Sequence, residues 1–228
     1  MTFTYLDVAK MIDHSLLNPT LTEKDLEAGC RVALEYDAAS VCILPYALRR
    51  CADLLRGSNV RASTTVGFPH GGHATAIKAA EAARALEDGG EELDMVVNIS
   101  KVLSEDWNYV RDDLRAVIEL AHAARQKVKV IFENCYLQDA HKIRLCRICG
   151  ELGADWVKTS TGYGSGGATD RDLKLMREHS PANVQVKAAG GVRTLDRLLE
   201  VRALGVTRCG ASKTVEILDE ARARLARK

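Results

Sequence analysis

Two lysines each lie inside an apolar, strand-like run and are followed at once by small residues and glycine. Lys158 lies in "DWVKTSTGYGSG" and Lys187 lies in "VQVKAAGG". A buried ammonium group is costly, and burial or a second positive charge nearby lowers the pKa of a lysine toward neutrality. A lysine that loses its proton in this way is an amine that can attack a carbonyl carbon. The alternative is that both lysines point outward between helices, or lie at strand ends and extend their ammonium groups into water.

Eight short β-rich runs must position these lysines, and they alternate with longer amphipathic stretches. The predicted strands are 12–17, 39–44, 61–68, 92–99, 128–133, 155–160, 184–190 and 207–212. Apolar residues at helical spacing recur between them, for example in 74–90, 108–126 and 194–205. Near-continuous apolar strands alternating with helices predict an α/β protein with a parallel sheet. Eight such units favour one closed (β/α)8 TIM barrel, formed by a single domain over 1–228.

The carboxyl ends of the strands are where such barrels collect their chemistry. The polar residues predicted to lie there include Asp13, Asp94, Lys158 and Lys187. The stretches "AAGGVRT" (188–194) and "RCGASKT" (208–214) each follow a late strand and precede a helix. Free backbone N–H groups in such turns hold phosphate, so the last two loops predict a phosphate site.

Composition and charge narrow the possible partners. Lysine and arginine number 32 against 31 aspartate and glutamate, a formal net charge of +1, with no basic run typical of nucleic-acid binding. No apolar stretch is long enough for a membrane helix, and residues 1–11 do not resemble a signal peptide, so we expect a cytoplasmic protein. The seven cysteines predict reduced thiols, and "CRIC" (146–149) is interpreted as part of a buried helix face.

Motifs along nearly the whole chain resemble the deoxyribose-phosphate aldolase family. They are "IDHSLL", "VCILP", "VGFPHG", "ELDMVVNIS", "VKVIFENCYL", "ADWVKTSTGYG", "VKAAGGVRT" and "RCGASKT". The resemblance implies a class I aldolase that reversibly cleaves 2-deoxy-D-ribose 5-phosphate to acetaldehyde and D-glyceraldehyde 3-phosphate. It implies no metal and no cofactor, and a homodimer or homotetramer.

The resemblance also implies catalytic roles, position by position. Lys158 is similar to the Schiff-base lysine, and Lys187 to the second lysine, which lowers the pKa of the first and assists proton transfer. Asp94 matches the acid–base carboxylate that moves protons through a water. Asp13 and Lys129 match a supporting network around these groups.

Substrate-binding positions follow from the same resemblance. Cys42 matches a cysteine that faces the substrate pocket. The phosphate cradle is matched by residues of the late loops, namely Gly162, Gly190, Gly191, Gly210 and Ser212.

Some positions depart from the family pattern. Leu44 and Asn18 are often more polar or charged in the family, and Asn134 replaces a common threonine; all three are expected near the substrate. The chain ends in "ARARLARK" without the tyrosine-bearing tail of some members, from which we expect a difference in rate or proton exchange.

Two other function classes stay open at the sequence level. A metal-dependent lyase or hydrolase could use His70 and His73 of "PHGGH", with Asp94 or Glu133, although two histidines on a glycine turn are a weak ligand set. Sensitivity to a chelator would identify this class. A non-catalytic phosphosugar-binding barrel would bind ligand without turnover.

Overall fold

The computed structural model describes residues 3–227, and its eight strands are parallel and close into one barrel in the order of the chain. The predicted TIM barrel is confirmed, with every predicted strand present. The strands are β1 Ile12–Leu16, β2 Ser40–Ile43, β3 Arg61–Val66, β4 Glu92–Val96, β5 Lys127–Ile131, β6 Trp156–Lys158, β7 Gln185–Ala189 and β8 Arg208–Ala211. β1 pairs with β8 to close the sheet.

Helices connect the strands and cover the outside of the barrel. They are α1 Tyr5–Ala9, α2 Glu23–Glu35, α3 Leu48–Leu55, α4 Thr75–Glu87, α5 Ile99–Leu103, α6 Trp107–Ala123, α7 Asp139–Leu152, α8 Asp170–His179, α9 Leu195–Ala203 and α10 Thr214–Ala226. Two short 3-10 turns occupy Pro45–Ala47 and Asn134–Tyr136. The three helices predicted over 74–90, 108–126 and 194–205 correspond to α4, α6 and α9. None of the helices within 3–227 is long and apolar enough to cross a membrane.

Threonine caps start the helices that follow the loops after β6 and β7. The side chain of Thr169 accepts a hydrogen bond from the Asp172 N–H at the start of α8, and Thr194 accepts one from the Arg197 N–H at the start of α9. Such caps satisfy N–H groups that have no partner within the helix. They therefore fix where the loops after β6 and β7 must end.

Side chains alternate across each strand, so one face of the sheet is apolar and the other carries charge. In β4, Leu93 and Met95 belong to the apolar core between sheet and helices, whereas Asp94 makes ion pairs with charged side chains of neighbouring strands. In β5, Val128 and Val130 alternate in the same way with Lys129. The period of two along a strand thus places a charged cluster inside the barrel.

Two buried ion pairs tie neighbouring helices together outside the barrel. Lys78 of α4 contacts Asp113 of α6 at 2.6 Å, and Lys142 of α7 contacts Asp172 of α8 at 2.6 Å. The cysteines of "CRIC" lie buried in α7, as predicted, and all seven cysteines of the chain are free thiols.

Candidate active site

Asp94 of β4 stands at the centre of the charged cluster. Its Oδ2 accepts hydrogen bonds from the ammonium groups of Lys158 and Lys187, both at 2.7 Å. Its Oδ1 accepts one from Lys129 at 2.8 Å. Asp94 is fully buried, and Lys158 and Lys187 are only 3% and 1% exposed. Neither lysine extends into water, so the surface alternative raised by the sequence does not hold.

Asp13 of β1 is the second carboxylate of the cluster. Its Oδ2 accepts a 2.5 Å hydrogen bond from Lys187, and its Oδ1 accepts bonds from Ser40 at 2.7 Å and Arg208 at 2.6 Å. Lys187 therefore bridges Asp13 and Asp94. Two carboxylates thus hold the ammonium group of Lys187 in position, whereas one holds that of Lys158.

Glu92 and Arg208 complete the cluster and were missed by sequence reasoning. Glu92 Oε2 lies 2.6 Å from Lys129 Nζ and 2.9 Å from Arg208 Nη1. The signal for Glu92 was available, because it stands two residues before Asp94 and so shares its side of β4. Arg208 gave no comparable signal, since its partners lie on strands distant in sequence.

The pKa values of the two central carboxyls are set by this cluster. Burial alone would raise the pKa of Asp94, but Lys129, Lys158 and Lys187 more than offset burial and hold it well below its usual range. Arg208, Lys129 and Lys187 likewise overcome burial and lower the pKa of Asp13. Both carboxyls are therefore ionised at neutral pH.

The pKa values of Lys158 and Lys187 shift in opposite directions. Burial lowers the pKa of Lys158, against the opposing charge of Asp94 and with a further contribution from Lys187. Burial acts on Lys187 too, but Asp13 and Asp94 reverse it and raise its pKa above the ordinary value. The repulsion expected between the two lysines is present, yet desolvation is the larger cause of the shift at Lys158.

The balance of charges in the cluster also indicates that Lys158 is the lysine that loses its proton more easily. The cluster contains the four cationic residues Lys129, Lys158, Lys187 and Arg208 and the three carboxylates Asp13, Glu92 and Asp94. A buried cluster is most stable when its charges balance. Within residues 3–227, Lys158 contacts no carboxylate besides Asp94, whose Oδ2 it shares with Lys187. Lys158 is thus the group whose deprotonation costs least.

A cavity of about 170 Å³ opens above the two lysines at the carboxyl end of the barrel. Its lining includes Asp13, Cys42, Lys158, Lys187 and all of the glycine-loop positions singled out in the sequence, namely Gly162, Gly190, Gly191, Gly210 and Ser212. Asp94 and Lys129 are not part of this lining and lie beneath it. Arg193, which the sequence analysis did not single out, also borders the cavity and adds a positive charge.

Gly190 and Gly191 form the turn after β7. Both have positive φ, +81° and +94°, which L side chains rarely adopt. A Cβ on Gly190 would lie 2.8 Å from the Cα of Gly167, whereas one on Gly191 would meet nothing within 4 Å. The first glycine therefore permits close packing of two loops, and the second leaves its backbone open to the cavity.

Cys42 of β2 faces the same cavity but is itself 2% exposed. Burial, together with the charge of Asp94, raises the pKa of its thiol. The sulfur is thus a neutral, weakly polar part of the wall rather than a thiolate nucleophile.

The three departures from the family pattern lie outside the lining of this cavity. Asn134 is buried, and its side-chain amide points to the sulfur of Met176 in α8 at 3.3 Å. Asn18 is exposed and accepts hydrogen bonds from Thr20, while Leu44 borders a separate groove. None of the three side chains lines this cavity, and of the three only Leu44 borders the neighbouring groove.

The residues of the metal alternative do not converge. His70 and His73 are both exposed on the turn after β3. In the part of the chain that the structure describes, no group of three or more His, Cys, Asp or Glu side chains has a geometry suited to a metal ion.

The structure thus has a buried amine beside an ionised carboxylate at the carboxyl end of a closed parallel barrel. This arrangement is typical of enzymes that act on carbonyl compounds. Comparisons with known proteins agree with this class. Residues 7–211 match the model of the DeoC/LacD family aldolases. The chain therefore belongs to the DeoC/LacD family and is an aldolase, a carbon–carbon lyase.

Individual relatives give the same result over nearly the whole chain. A deoxyribose-phosphate aldolase of Rhodopirellula baltica is 69% identical, covering 98% of this chain and 92% of the relative. One from Thermococcus kodakarensis is 44% identical, covering 94% and 97%. The solved structure of a deoxyribose phosphate aldolase from Aeropyrum pernix, described as a tetramer, superposes with a TM-score of 0.89 at 29% identity and covers 97% of this chain and 93% of that one.

Proposed function

We propose that this aldolase cleaves 2-deoxy-D-ribose 5-phosphate reversibly to acetaldehyde and D-glyceraldehyde 3-phosphate through a Schiff base on Lys158. The observation that carries the proposal is the shared Asp94 oxygen, which brings two buried lysines to one carboxylate below a glycine-lined cavity. The names of the relatives from Rhodopirellula baltica and Thermococcus kodakarensis support the substrate.

Lys158 is the nucleophile in this mechanism. Its lowered pKa provides neutral amine, which attacks the C1 aldehyde carbon of the open-chain sugar. Loss of water gives a protonated imine, which accepts the electron pair released when the C2–C3 bond breaks. The C3 hydroxyl gives up its proton as D-glyceraldehyde 3-phosphate leaves and the enamine remains. A proton is then added to C2 of the enamine, which restores the protonated imine, and water releases acetaldehyde and the free amine.

Asp94 and Lys187 assist the proton transfers of this mechanism. Asp94 is ionised and touches the amine that reacts, so it can take up protons during carbinolamine and enamine steps, with a water as carrier. Lys187 stays an ammonium group because its pKa is raised, and it keeps its positive charge next to Lys158. Asp13 and Lys129 hold Lys187 and Asp94 in place through their ion pairs.

The phosphate of the substrate binds at the turns after β7 and β8 in this proposal. These turns line the cavity that contains Lys158, and each leads into a helix N-terminus, at α9 and α10. Backbone N–H groups at such positions suit an anion. The glycine positions Gly191 and Gly210 let the phosphate approach the backbone closely, and Arg193 adds charge.

The direct test is reductive trapping. The protein is incubated with acetaldehyde and sodium borohydride, digested, and mapped by mass spectrometry. We expect the ethyl adduct on Lys158 and, in Lys158→Arg, neither adduct nor turnover, because guanidinium stays charged and cannot form an imine. An adduct on Lys187, with Lys158→Arg still active, would show that the two lysines are reversed.

We also propose that the chain works as a homodimer or homotetramer in the cytoplasm. The tetrameric relative from Aeropyrum pernix supports the oligomer. The seven free thiols support the cytoplasm, where cysteines stay reduced. Light scattering coupled to size-exclusion chromatography measures the oligomeric state, and a monomer at assay concentration would reject the first part.

A further inference from the structure

The loop after β6, residues 159–169, reaches across the mouth of the barrel. Its Tyr163 donates a hydrogen bond from the phenol to the carbonyl of Leu17, beyond β1, at 2.7 Å. The same ring packs edge-on against Phe68, beyond β3, with ring centroids 5.5 Å apart. β6 lies opposite β2 in the closed order of eight strands, so contacts to the loops flanking β2 cross the mouth.

The base of this loop is held by hydrogen bonds on both sides. Thr161 donates its N–H and its hydroxyl to the buried carboxylate of Glu133, and the Tyr163 N–H donates to the Thr161 hydroxyl at 3.0 Å. On the other side the Ala168 N–H donates to the Gly190 carbonyl at 3.0 Å. The position of Tyr163 is therefore set by the loop and not by chance contact of a free side chain.

Two cavities share Leu17 as a lining residue, and Tyr163, which is hydrogen-bonded to Leu17, borders one of them. Leu17 lines the lysine cavity and also a second groove of about 270 Å³, which Tyr163 borders. The groove is mostly apolar, lined among others by Pro19, Leu44 and Phe68. The Leu17–Tyr163 hydrogen bond thus lies at the boundary between the reacting amine and an apolar space.

The position of this boundary bears on the acceptor aldehyde. Lys158 and the donor bound to it lie at the bottom of the lysine cavity, so the acceptor must approach from the mouth, where Leu17 stands. A phosphorylated acceptor is held by the turns after β7 and β8. An alkyl aldehyde has no such anchor and needs apolar surface, which the groove bordered by Leu17 and Tyr163 offers.

We propose that Tyr163 determines acceptor specificity by closing the lysine cavity off from the apolar groove. Opening this boundary joins the two spaces and gives the chain of an unphosphorylated alkyl aldehyde apolar surface on which to bind. The inference rests on the proposed function, because it assumes an enamine on Lys158. In the reaction that tests it, C2 of that enamine bonds to the carbonyl carbon of hexanal, whose oxygen takes up a proton. Water then releases 3-hydroxyoctanal and the free amine.

The experiment compares Tyr163→Phe, Tyr163→Ala and the wild-type protein. Acetaldehyde is the donor, and propanal, butanal, hexanal and D-glyceraldehyde 3-phosphate are the acceptors. In Tyr163→Ala we expect kcat/KM for hexanal to rise at least about tenfold, with a gain that increases along the alkyl series, because added methylenes then find apolar contacts. Tyr163→Phe loses only the hydrogen bond to Leu17 and should give a smaller gain in the same order. Activity with D-glyceraldehyde 3-phosphate should change less than about threefold.

Tyr136→Ala is the matched control. Tyr136 is 50% exposed, close to the 47% of Tyr163, and lines neither cavity, so its removal should leave the ratio of hexanal to D-glyceraldehyde 3-phosphate unchanged. A Tyr163→Ala ratio that also stays unchanged, or a fall with every acceptor alike, would overturn the inference, since Tyr163 would then only order the loop. Borohydride trapping of acetaldehyde on Lys158, run in parallel, reports separately on the proposed function.

Discussion

Replacing Lys187 with methionine tests how the pKa of the reacting amine is set. Both Lys187 and Lys158 contact the same Asp94 oxygen at 2.7 Å, so their nitrogens are at most about 5.4 Å apart. At an effective dielectric constant of about 20, two unit charges at that distance repel by about 3 kcal/mol, equivalent to roughly two pKa units. Methionine keeps most of the length of the side chain and removes its charge.

The expected result is a shift of the pH profile. Without the Lys187 charge the pKa of Lys158 rises, less neutral amine is present at pH 7, and kcat/KM falls about a hundredfold there. The acid limb of kcat/KM against pH moves up by about two units, and much of the activity returns at high pH. Asp13 keeps Arg208 and Lys129 as partners, so the variant should fold.

Initial rates of phosphosugar cleavage between about pH 5 and pH 10 measure this shift. Lys142→Met is the control, because Lys142 is also buried in an ion pair, with Asp172, but outside the barrel. The Lys142→Met substitution should lower the free energy of unfolding and leave the acid limb of the kcat/KM profile at the same pH as in the wild-type protein. A loss in Lys187→Met that is equal at every pH would refute the electrostatic argument and make Lys187 a direct proton donor.

Two further predictions concern the phosphate site and stability. Gly191→Val should raise KM for the 5-phosphate sugar at least about tenfold more than KM for unphosphorylated deoxyribose. The reason is that the valine side chain would enter open cavity space from a backbone position with φ +94°. Equal effects on the two KM values would show that the phosphate binds elsewhere. Burial lowers the pKa of His14 from 6.5 to about 4. The unfolded chain therefore takes up a proton there before the folded protein does, and stability should fall by about 3 kcal/mol as pH drops from about 6.5 to 4. Urea unfolding of His14→Gln should lack that part of the slope; an unchanged slope would show that His14 is not its source.

The sequence by itself determined the barrel and singled out the two lysines that we propose take part in the reaction. Strand period and helix period are local properties, so alternating apolar runs located all eight strands within a few residues. Lys158 and Lys187 were identifiable because a lysine in an apolar strand is costly wherever the strand lies. The glycine turns likewise came from local motifs, whereas Cys42 came from the family resemblance, and all of them line one cavity.

Only the tertiary structure decided which charges meet. Arg208 reaches Asp13 across 195 residues of chain, and Glu92 joins them only because β1, β4, β5 and β8 close around one interior. The direction of each lysine's pKa shift depends on how many carboxylates surround it, two for Lys187 and one for Lys158. No local pattern encodes that number, because each partner comes from a different strand. The reach of Tyr163 across the mouth to Leu17 is decided in the same way, since it requires the barrel to be closed.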